Sequence, residues 1–455
     1  MINPQIFRQY DIRGIVDKEL NEEVLNSIGK AFGTYVRRKG KKTVVIGGDA
    51  RLSTPLYKKA FTDGLLATGC EVTDIGICAS PVLYFAIWKL GVDAGTMITA
   101  SHNPKEYNGI KLNLGMESVF GEQIQEILKL IQNKDFENIS TNSEINSVKY
   151  FEGIIGIYSD YIVDNIKLSR PVKCIVDAGN GVGGPILPNI LRRLGCEVKE
   201  MYCELDGTFP NHHPDPTIEA YMTDLINEMK KGEYEVGLGL DGDADRIGVV
   251  DNKGKMLFGD QILNILARDY LIKNPGKTVL ADVKCSKTLF DDIKKHGGVP
   301  LMYKTGHSNI KGKMKADGID FGGEMSGHIF LGDRYLGFDD AIYASARFVE
   351  ILSNTDTKCS DLLNDLPKMY NTPEIRFDTI EETKFEIVNK VRDFFIKEGY
   401  EVNDIDGMRV TFSDGWGLIR ASNTQPALVM RFEATTENRL KEIKDLIEGK
   451  LKDFQ

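Results

Sequence analysis

The stretch Lys42-Thr-Val-Val-Ile-Gly-Gly-Asp49 returns in altered form as Lys173-Cys-Ile-Val-Asp177 and as Lys277-Thr-Val-Leu-Ala-Asp282. Each is a short apolar run that ends in an acid, a pattern typical of a strand buried in a parallel sheet. A helix-like stretch, a glycine and a second short apolar run follow in each case. The sequence therefore predicts three related copies of a β-α-β unit.

Every copy continues into a third apolar segment that ends in a polar loop, at Ser101, Asp241 and Glu324. Because ligands bind beyond the carboxyl ends of the strands in such sheets, we expect these loops to carry the function. The last part of the chain differs, since residues 381–397 and 436–452 look helical and flank short strand-like runs. This pattern is typical of an α+β domain.

The predicted fold class is α/β, with three similar α/β domains of mixed, mostly parallel sheets and a C-terminal α+β domain. The expected domains are residues 1–147, 148–251, 252–368 and 369–455. A chain of 455 residues is long enough for this number, because domains usually contain roughly 100–200 residues.

Composition excludes several classes of protein. The chain has 57 Lys and Arg against 67 Asp and Glu, a net charge of −10, which argues against nucleic acid as a partner. Residues 81–88, the longest apolar run, fall far short of the ~20 residues that span a bilayer, so we expect no membrane association. The start shows no signal-peptide pattern, and the seven cysteines contain no C-x-x-C pair. We therefore expect a cytoplasmic protein with reduced cysteines.

The loop Asp241-Gly-Asp243-Ala-Asp245-Arg246 concentrates three carboxylates directly after a buried-type strand. They would repel one another without a cation, so the loop indicates a divalent metal with oxygen ligands, and Mg²⁺ if a phosphate completes the site. A calcium EF-hand is excluded, since its sixth position would be Arg246 and its twelfth Asn252. A solvated acidic turn is the alternative.

The loop Thr99-Ala-Ser101-His102-Asn103-Pro104 presents a serine at a tight turn after a strand. His102 and Lys111 supply nearby proton-carrying or positive groups, so Ser101 suits a nucleophile or a phosphate carrier. A polar turn without chemistry is the alternative.

Two further loops indicate ligand binding. Gly322-Gly-Glu324-Met-Ser326-Gly-His328 places a carboxylate and a hydroxyl two residues apart, as recognition of sugar hydroxyls would require. Arg420-Ala-Ser422-Asn423-Thr424 combines one arginine with short hydrogen-bonding side chains, a composition typical of an anion site. Lys284 and the loop that contains His307 are weaker candidates for the same cleft.

Taken together, these loops resemble the α-D-phosphohexomutase superfamily and, within it, the phosphomannomutase/phosphoglucomutase group. The resemblance covers nearly the whole chain in order. It rests on Tyr10-Asp-Ile-Arg13-Gly14, Thr99 to Pro104 with Tyr107-Asn-Gly-Ile-Lys111, Asp241 to Arg246, Gly323 to His328, and Arg420 to Thr424. It implies four domains around a central active-site cleft. In order, they carry the phosphoserine, metal-binding, sugar-binding and phosphate-binding loops.

The resemblance also implies roles for individual residues. Ser101 would be the phosphoserine, with His102, Lys111 and Arg13 as further catalytic residues. Mg²⁺ would bind Ser101, Asp241, Asp243 and Asp245. The implied substrate-binding residues are Tyr10, Arg246, Lys284, His307, Glu324, Ser326, His328, Arg420, Ser422, Asn423 and Thr424.

The implied reaction interconverts hexose 1-phosphate and hexose 6-phosphate, of mannose or glucose or both, through a hexose 1,6-bisphosphate intermediate. Met325 resembles the hexose-type loop, and glucosamine phosphate stays open as a substrate. Two other functions also stay open: a metal-dependent sugar-phosphate phosphatase with Asp241 as nucleophile, and a non-catalytic sugar-phosphate-binding protein. A monomer and a homodimer are both compatible with the sequence.

Overall fold

The computed structural model describes residues 2–138, 147–422 and 427–454 and contains four β-sheets. The α/β class with a distinct C-terminal part is confirmed. Three sheets share one strand pattern, and the fourth is antiparallel.

The first sheet has the strand order β1-β5-β4-β2-β3-β7, with β6 paired to β5. Its strands are β1 (Ile12–Ile15), β2 (Thr43–Gly48), β3 (Glu71–Ile77), β4 (Ala94–Ile98), β5 (Tyr107–Leu114), β6 (Glu117–Ser118) and β7 (Lys149–Tyr150). Its helices are α1 (Glu22–Arg38), α2 (Thr54–Ala67), α3 (Ser80–Leu90) and α4 (Glu122–Gln132). The apolar run at β2 occupies the centre of this sheet, as its sequence predicts.

The second sheet has the order β12-β11-β10-β8-β9. Its strands are β8 (Lys173–Asp177), β9 (Glu197–Met201), β10 (Val236–Leu240), β11 (Ile247–Asp251) and β12 (Met256–Leu257). The helices of this segment are α5 (Ile154–Asn165), α6 (Leu187–Arg193) and α7 (Thr223–Met229), with a 3-10 turn at Glu219–Met222.

The third sheet has the order β14-β13-β15-β16. Its strands are β13 (Thr278–Asp282), β14 (Val299–Tyr303), β15 (Phe321–Gly323) and β16 (Ile329–Leu331). The helices are α8 (Gly259–Lys273), α9 (Lys287–Lys295), α10 (His307–Asp317) and α11 (Ala341–Ser353), with a 3-10 turn at Cys359–Asp361.

Each of these sheets extends the predicted β-α-β-α-β repeat by one strand. In the first sheet β2 pairs in parallel with β3 and β4, and β5 then returns antiparallel to β4. The other two sheets repeat this arrangement through β11 and β16. An antiparallel neighbour needs only a short connection, whereas a parallel one needs a crossover. All three predicted loops therefore lie in the turn between the third and fourth strands of their units.

The C-terminal sheet is antiparallel and carries two helices. Its strands are β17 (Tyr370–Asn371), β18 (Ile375–Asp378), β19 (Glu401–Asn403), β20 (Met408–Phe412), β21 (Gly415–Ala421) and β22 (Ala427–Ala434), and its helices are α12 (Lys384–Lys397) and α13 (Glu437–Asp453). Both helices match the predicted helical stretches to within three residues. Their apolar faces and the sheet form a separate core.

Two buried arginines attach this sheet to the third unit. Arg409 donates from Nη1 to the carbonyl oxygens of Val283 (2.5 Å) and Cys285 (2.8 Å), and Arg431 donates to that of Lys284. The Arg409 guanidinium also lies 3.7 Å from the ring centroid of Trp416. Burial lowers the pKa of Arg409 to about 10, which still leaves it charged at neutral pH. The attachment thus uses charged donors on backbone carbonyls.

One hydrophobic core runs through the first three units. It includes residues of α3, α5, β10 and α11, so these units pack as a continuous body. Within the described ranges, none of the helices has the length and apolar character needed to cross a bilayer.

Asp340 supports the contact between α5 and α11. Its carboxylate caps α11 by accepting from Tyr343 N–H (2.8 Å), and it also accepts from the hydroxyls of Tyr158 (2.9 Å) and Tyr335 (2.8 Å). Burial raises the pKa of Asp340 to about 6, although these hydrogen bonds oppose the shift.

This shift predicts a pH-dependent contribution to stability. Because the pKa in the folded protein exceeds the unfolded value of ~3.9, the protonated carboxyl stabilises the fold. The contribution is complete below about pH 4 and is lost as pH rises through about 6, a change of about 3 kcal/mol. From pH 4 to pH 7 the unsubstituted protein should therefore lose this amount of unfolding free energy through Asp340, whereas the Asp340→Asn protein should not.

Urea titrations at several pH values would measure the effect. Asp356→Asn is the matched control, because Asp356 is exposed and belongs to the same unit. A difference between the Asp340→Asn protein and the unsubstituted protein that stays constant with pH would contradict the prediction.

Candidate active site

Ser101 lies in the turn between β4 and β5 and faces the acidic loop of the second unit. Its Oγ donates to Asp241 Oδ2 at 2.7 Å and lies 3.1 Å from His102 Nδ1. Its φ of 50° is left-handed, a conformation that costs about 1–3 kcal/mol for a residue with a side chain. This strained turn directs the hydroxyl towards the carboxylates.

Arg51 holds the Ser101 loop from behind. Its Nη2 donates to the carbonyl oxygens of Ser101 (2.8 Å) and Asn103 (2.6 Å), and its Nη1 to those of Pro104 (2.7 Å) and Tyr107 (3.0 Å). Its Nε bonds Asp49 Oδ2 at 3.1 Å. Arg51 is 1% exposed, so the loop is tied to a rigid, buried cation.

Gly242 allows the acidic loop to approach this turn. A Cβ atom at Gly242 would lie 2.5 Å from the carbonyl oxygen of Ser101. This distance is too short for any side chain unless the backbone moves. The glycine between the first two aspartates is therefore required by the contact between the first and second units.

The three aspartates of the loop are completely buried and close together. Ligand oxygens of Asp241, Asp243 and Asp245 all lie within 4.8 Å of one another. Lys111 Nζ lies 2.5 Å from Asp243 Oδ2 and 2.5 Å from Asp245 Oδ2. The carboxylates hold the pKa of Lys111 well above its usual value in spite of burial, so the lysine is a cation.

One ammonium group does not balance three carboxylates. Burial, and then the charges of Asp245 and Asp243, raise the pKa of Asp241 well above its ordinary value. Among the described residues, Oδ1 of Asp243 and Oδ1 of Asp245 have no hydrogen-bond partner although both are buried. Excess negative charge and unsatisfied carboxylate oxygens fit a divalent cation that prefers oxygen ligands, such as Mg²⁺.

Arg246 and His328 border the acidic loop. Arg246 Nε donates to His328 Nε2 at 3.0 Å, which requires the ring proton to be on Nδ1. That Nδ1 lies 3.2 Å from Asp339 Oδ2 and 3.6 Å from Asp245 Oδ1. The site thus contains a histidine whose tautomer is set by its neighbours.

His102 and His307 have pKa values well below the usual value and are therefore neutral at pH 7. Burial, and then the charges of Arg246 and Arg13, lower the pKa of His102 well below its usual value. His307 lies 3.4 Å from Asp339 Oδ2, and burial together with Lys311 also lowers its pKa. A neutral imidazole beside the Ser101 hydroxyl is able to accept a proton.

A second group of residues surrounds Glu324, in the turn between β15 and β16. Its buried carboxylate accepts from Gly306 N–H at 2.5 Å, and burial raises its pKa. Tyr10, from the first unit, donates its hydroxyl to the Thr305 carbonyl at 3.0 Å. Lys284 Nζ lies 3.2 Å from Glu374 Oε2 of the C-terminal part. Three parts of the chain therefore meet at this loop.

Arg420 lies near the end of β21, and Ser422 directly follows that strand. Arg420 Nε donates to Asp406 Oδ2 at 2.9 Å. Ser422 N–H donates to the Ala427 carbonyl at 2.8 Å, and the Ser422 carbonyl accepts from Lys384 Nζ at 2.6 Å. Asn423 and Thr424, also predicted to bind phosphate, lie outside the described residues.

The structure brings the candidates into two connected groups. Arg13 joins the first through its Nη1, which donates to Asn103 Oδ1 at 2.6 Å, and Ser326 is half-buried in the turn of Glu324. The first group contains Arg13, Ser101, His102, Lys111, Asp241, Asp243, Asp245, Arg246 and His328. The second contains Tyr10, Lys284, His307, Glu324, Ser326, Arg420 and Ser422. His307 and Asp339 connect the two groups, because the ring centroids of His307 and His328 lie 5.3 Å apart and the Nδ1 atoms of both rings face Asp339 Oδ2.

Sequence reasoning missed several supporting residues. Arg51 follows the first repeat strand closely, but its neighbours in the sequence give no sign that it binds the Ser101 loop. Ser80, which donates to Asp243 Oδ2 at 2.6 Å, and Asp339 carry no local signal, because they approach from a helix start and a distant loop.

Family models match the chain in four consecutive segments. Three are described as α/β/α domains I, II and III of phosphoglucomutase/phosphomannomutase and match residues 4–138, 149–254 and 258–370. The C-terminal domain of the same family matches residues 374–450.

Individual proteins agree with this result. The phosphomannomutase/phosphoglucomutase of Pseudomonas aeruginosa PAO1 is 44% identical over 448 residues, which cover 98% of this chain and 95% of that protein. A phosphoglucomutase of Neisseria meningitidis serogroup A is 44% identical over 442 residues, 97% of this chain and 95% of that protein. A crystal structure of a Burkholderia thailandensis phosphoglucomutase/phosphomannomutase family protein, 42% identical, superposes with a TM-score of 0.92 and covers 100% of this chain and 98% of that one. The chain therefore belongs to the phosphoglucomutase/phosphomannomutase family.

Proposed function

We propose that this protein is a phosphohexomutase that interconverts the 1-phosphate and 6-phosphate of mannose, glucose or both. The observation that carries the proposal is the contact of the Ser101 hydroxyl with Asp241, at 2.7 Å, in a buried cluster of three aspartates. A nucleophile beside a cation site suits phosphoryl transfer, where catalysis is mostly positioning and charge stabilisation.

In the proposed reaction, a phosphoryl group on Ser101 Oγ passes to a hexose phosphate and gives a hexose 1,6-bisphosphate. Asp241, Asp243, Asp245 and an oxygen of Ser101 would hold Mg²⁺, which when bound neutralises charge on the phosphoryl group. Arg13, which bonds Asn103 of the Ser101 loop, and Arg246, whose N–H bonds Asp241, are proposed to add positive charge. Lys111 holds Asp243 and Asp245 in place. His102, whose Nδ1 lies 3.1 Å from Ser101 Oγ, is proposed to move a proton to or from the reacting hydroxyl, and His328 is proposed as a substrate contact.

The bisphosphate must then turn over and return its other phosphate to Ser101. This requires a second anion site, and Arg420, Ser422, Asn423 and Thr424 are proposed for it. Glu324 and Ser326 would bind the sugar hydroxyls. Tyr10, Lys284 and His307 are proposed as further contacts in the cleft, which their position around Glu324 supports.

The domain limits 1–147, 148–251, 252–368 and 369–455 remain part of the proposal, as do a cytoplasmic location and a monomeric or homodimeric state.

The names of the relatives favour hexose phosphates and do not favour the glucosamine alternative. A substrate panel tests the sugar: mannose, glucose and glucosamine 1-phosphates, each with Mg²⁺ and a trace of the matching 1,6-bisphosphate. Release of free phosphate without isomer conversion would instead indicate a phosphatase.

Ser101→Ala should abolish turnover, because it removes the hydroxyl that is proposed to carry the phosphoryl group and that contacts Asp241. A coupled assay for hexose 6-phosphate would measure the loss, and intact-mass analysis would follow the phosphoprotein. Ser27→Ala is the control, since among the described residues the Ser27 hydroxyl bonds only the Glu23 carbonyl of its own helix. Full mutase activity in Ser101→Ala would refute the assignment of the nucleophile.

Mg²⁺ should raise the midpoint of thermal unfolding, since a ligand that binds only the folded state stabilises it by mass action. At a concentration of about 100 times the dissociation constant, the gain is about 2.7 kcal/mol. Asp243→Asn should reduce the Mg²⁺-induced shift, whereas Asp164→Asn, which changes an exposed carboxylate of α5, should leave it intact. Equal shifts in both variants would show that the ion binds elsewhere.

A further inference from the structure

Asp406 lies in the turn between β19 and β20 and bonds two groups with one oxygen. Its Oδ2 accepts from Arg420 Nε at 2.9 Å and from Thr305 N–H at 3.0 Å. Thr305 belongs to the third unit, whereas Asp406 and Arg420 belong to the C-terminal sheet. The carboxylate therefore joins a proposed phosphate-binding residue to a loop of another part of the chain.

Gly407 fixes the place of this carboxylate. Its φ of 85° is left-handed, and a Cβ atom there would lie 2.4 Å from the Ile419 carbonyl oxygen and 2.7 Å from Arg420 Cα. The turn thus rests directly on the backbone of Arg420. Only glycine allows this approach, so the Asp406 side chain has little freedom relative to Arg420.

Thr305 transmits the contact to the sugar loop. Its carbonyl accepts from the Tyr10 hydroxyl at 3.0 Å, and its Oγ1 donates to Asp282 Oδ2 at 3.2 Å. Asp282 Oδ1 in turn accepts from Met325 N–H at 3.1 Å, next to Glu324. The following residue, Gly306, donates its N–H to Glu324 itself at 2.5 Å. The N–H, carbonyl and hydroxyl of Thr305 therefore all form hydrogen bonds with residues around the proposed sugar site.

Charge supports the same interpretation. Arg420 is 6% exposed, and removing the anionic partner of a buried charge is strongly destabilising. Burial opposes the charge of Arg420, and Asp406 is the largest of the influences that raise its pKa again. Because Asp406 accepts from Nε, this bond does not use the Nη groups, which a guanidinium can offer to a second anion.

We infer that Asp406 is a positioning residue, which aims the Arg420 guanidinium and joins it through the Thr305 N–H to the sugar loop at Glu324. This inference rests on the proposed function, in which Arg420 holds the phosphate that is not reacting. Asp406 belongs to none of the sequence motifs that indicated the site. The bond between Arg420 and the non-reacting phosphate would stabilise the bound substrate and the transition state equally. Asp406 should therefore affect substrate affinity more than the chemical step.

Steady-state kinetics of the full chain test the inference, with glucose 1-phosphate as substrate, glucose 1,6-bisphosphate as activator and Mg²⁺. Asp406→Ala should raise KM about ten- to hundredfold, as expected for loss of a charge-assisted hydrogen bond, with kcat within about threefold. Asp406→Asn keeps an acceptor oxygen without the charge and should give an intermediate KM. Asp404→Ala is the matched control, because Asp404 is exposed in the same turn and bonds none of the described residues.

A double-mutant cycle separates positioning from general damage to the fold. Arg420→Lys keeps the charge but removes the Nε–H that Asp406 accepts, so adding Asp406→Ala to it should raise KM by less than about threefold. Thermal unfolding shows whether each variant is folded. If Asp406→Ala does not fold, Asp406→Asn replaces it in the double-mutant cycle. The inference would be overturned, with the mutase function unaffected, if the Asp406 variants had an unchanged KM. It would also be overturned if Asp406→Ala raised KM as much in the Arg420→Lys protein as in the unsubstituted protein. Absence of mutase activity in the unsubstituted chain would overturn the proposed function and this inference with it.

Discussion

The repulsion among Asp241, Asp243 and Asp245 is the constraint on which the rest of the site depends. Two carboxylates about 4 Å apart repel by about 4 kcal/mol at an effective dielectric constant of 20, and burial strengthens this. Lys111 offsets part of the cost through two ion pairs, and it comes from a strand of a different unit. The first two units therefore have to be packed together before the acidic loop can be stable, and a divalent cation is the natural remaining partner.

The sequence was sufficient for the fold because its signals are local. Three apolar runs closed by acids predicted three central strands, and β2, β8 and β13 are found there within one residue. Local sequence also located the turns that carry Ser101, the aspartates and Glu324, whereas the roles of these residues stay predictions. The antiparallel fourth strand of each unit was not predicted as a repeated feature, because Ile329–Leu331 and Tyr107–Leu114 share neither length nor composition.

Residues that support the site from a distance could not be predicted. Arg51 is recognisable only once four carbonyl oxygens of the Ser101 loop converge on it. Arg409 and Arg431 likewise act on backbone carbonyls of residues more than a hundred positions away. A motif records which side chains touch a ligand, whereas these arginines bind main-chain atoms that any sequence would present. Tertiary structure is needed to see them.

The left-handed backbone of Ser101 restricts which residue could serve at this position as the proposed nucleophile. Threonine carries the same hydroxyl, but a β-branched residue is a genuine outlier at a positive φ. Cysteine would tolerate the backbone better, yet its soft sulfur is a poor neighbour for a cation that prefers oxygen. The choice of serine thus follows from two independent filters, one steric and one electronic. An evolving or engineered chain could change the nucleophile only by rebuilding the turn that presents it.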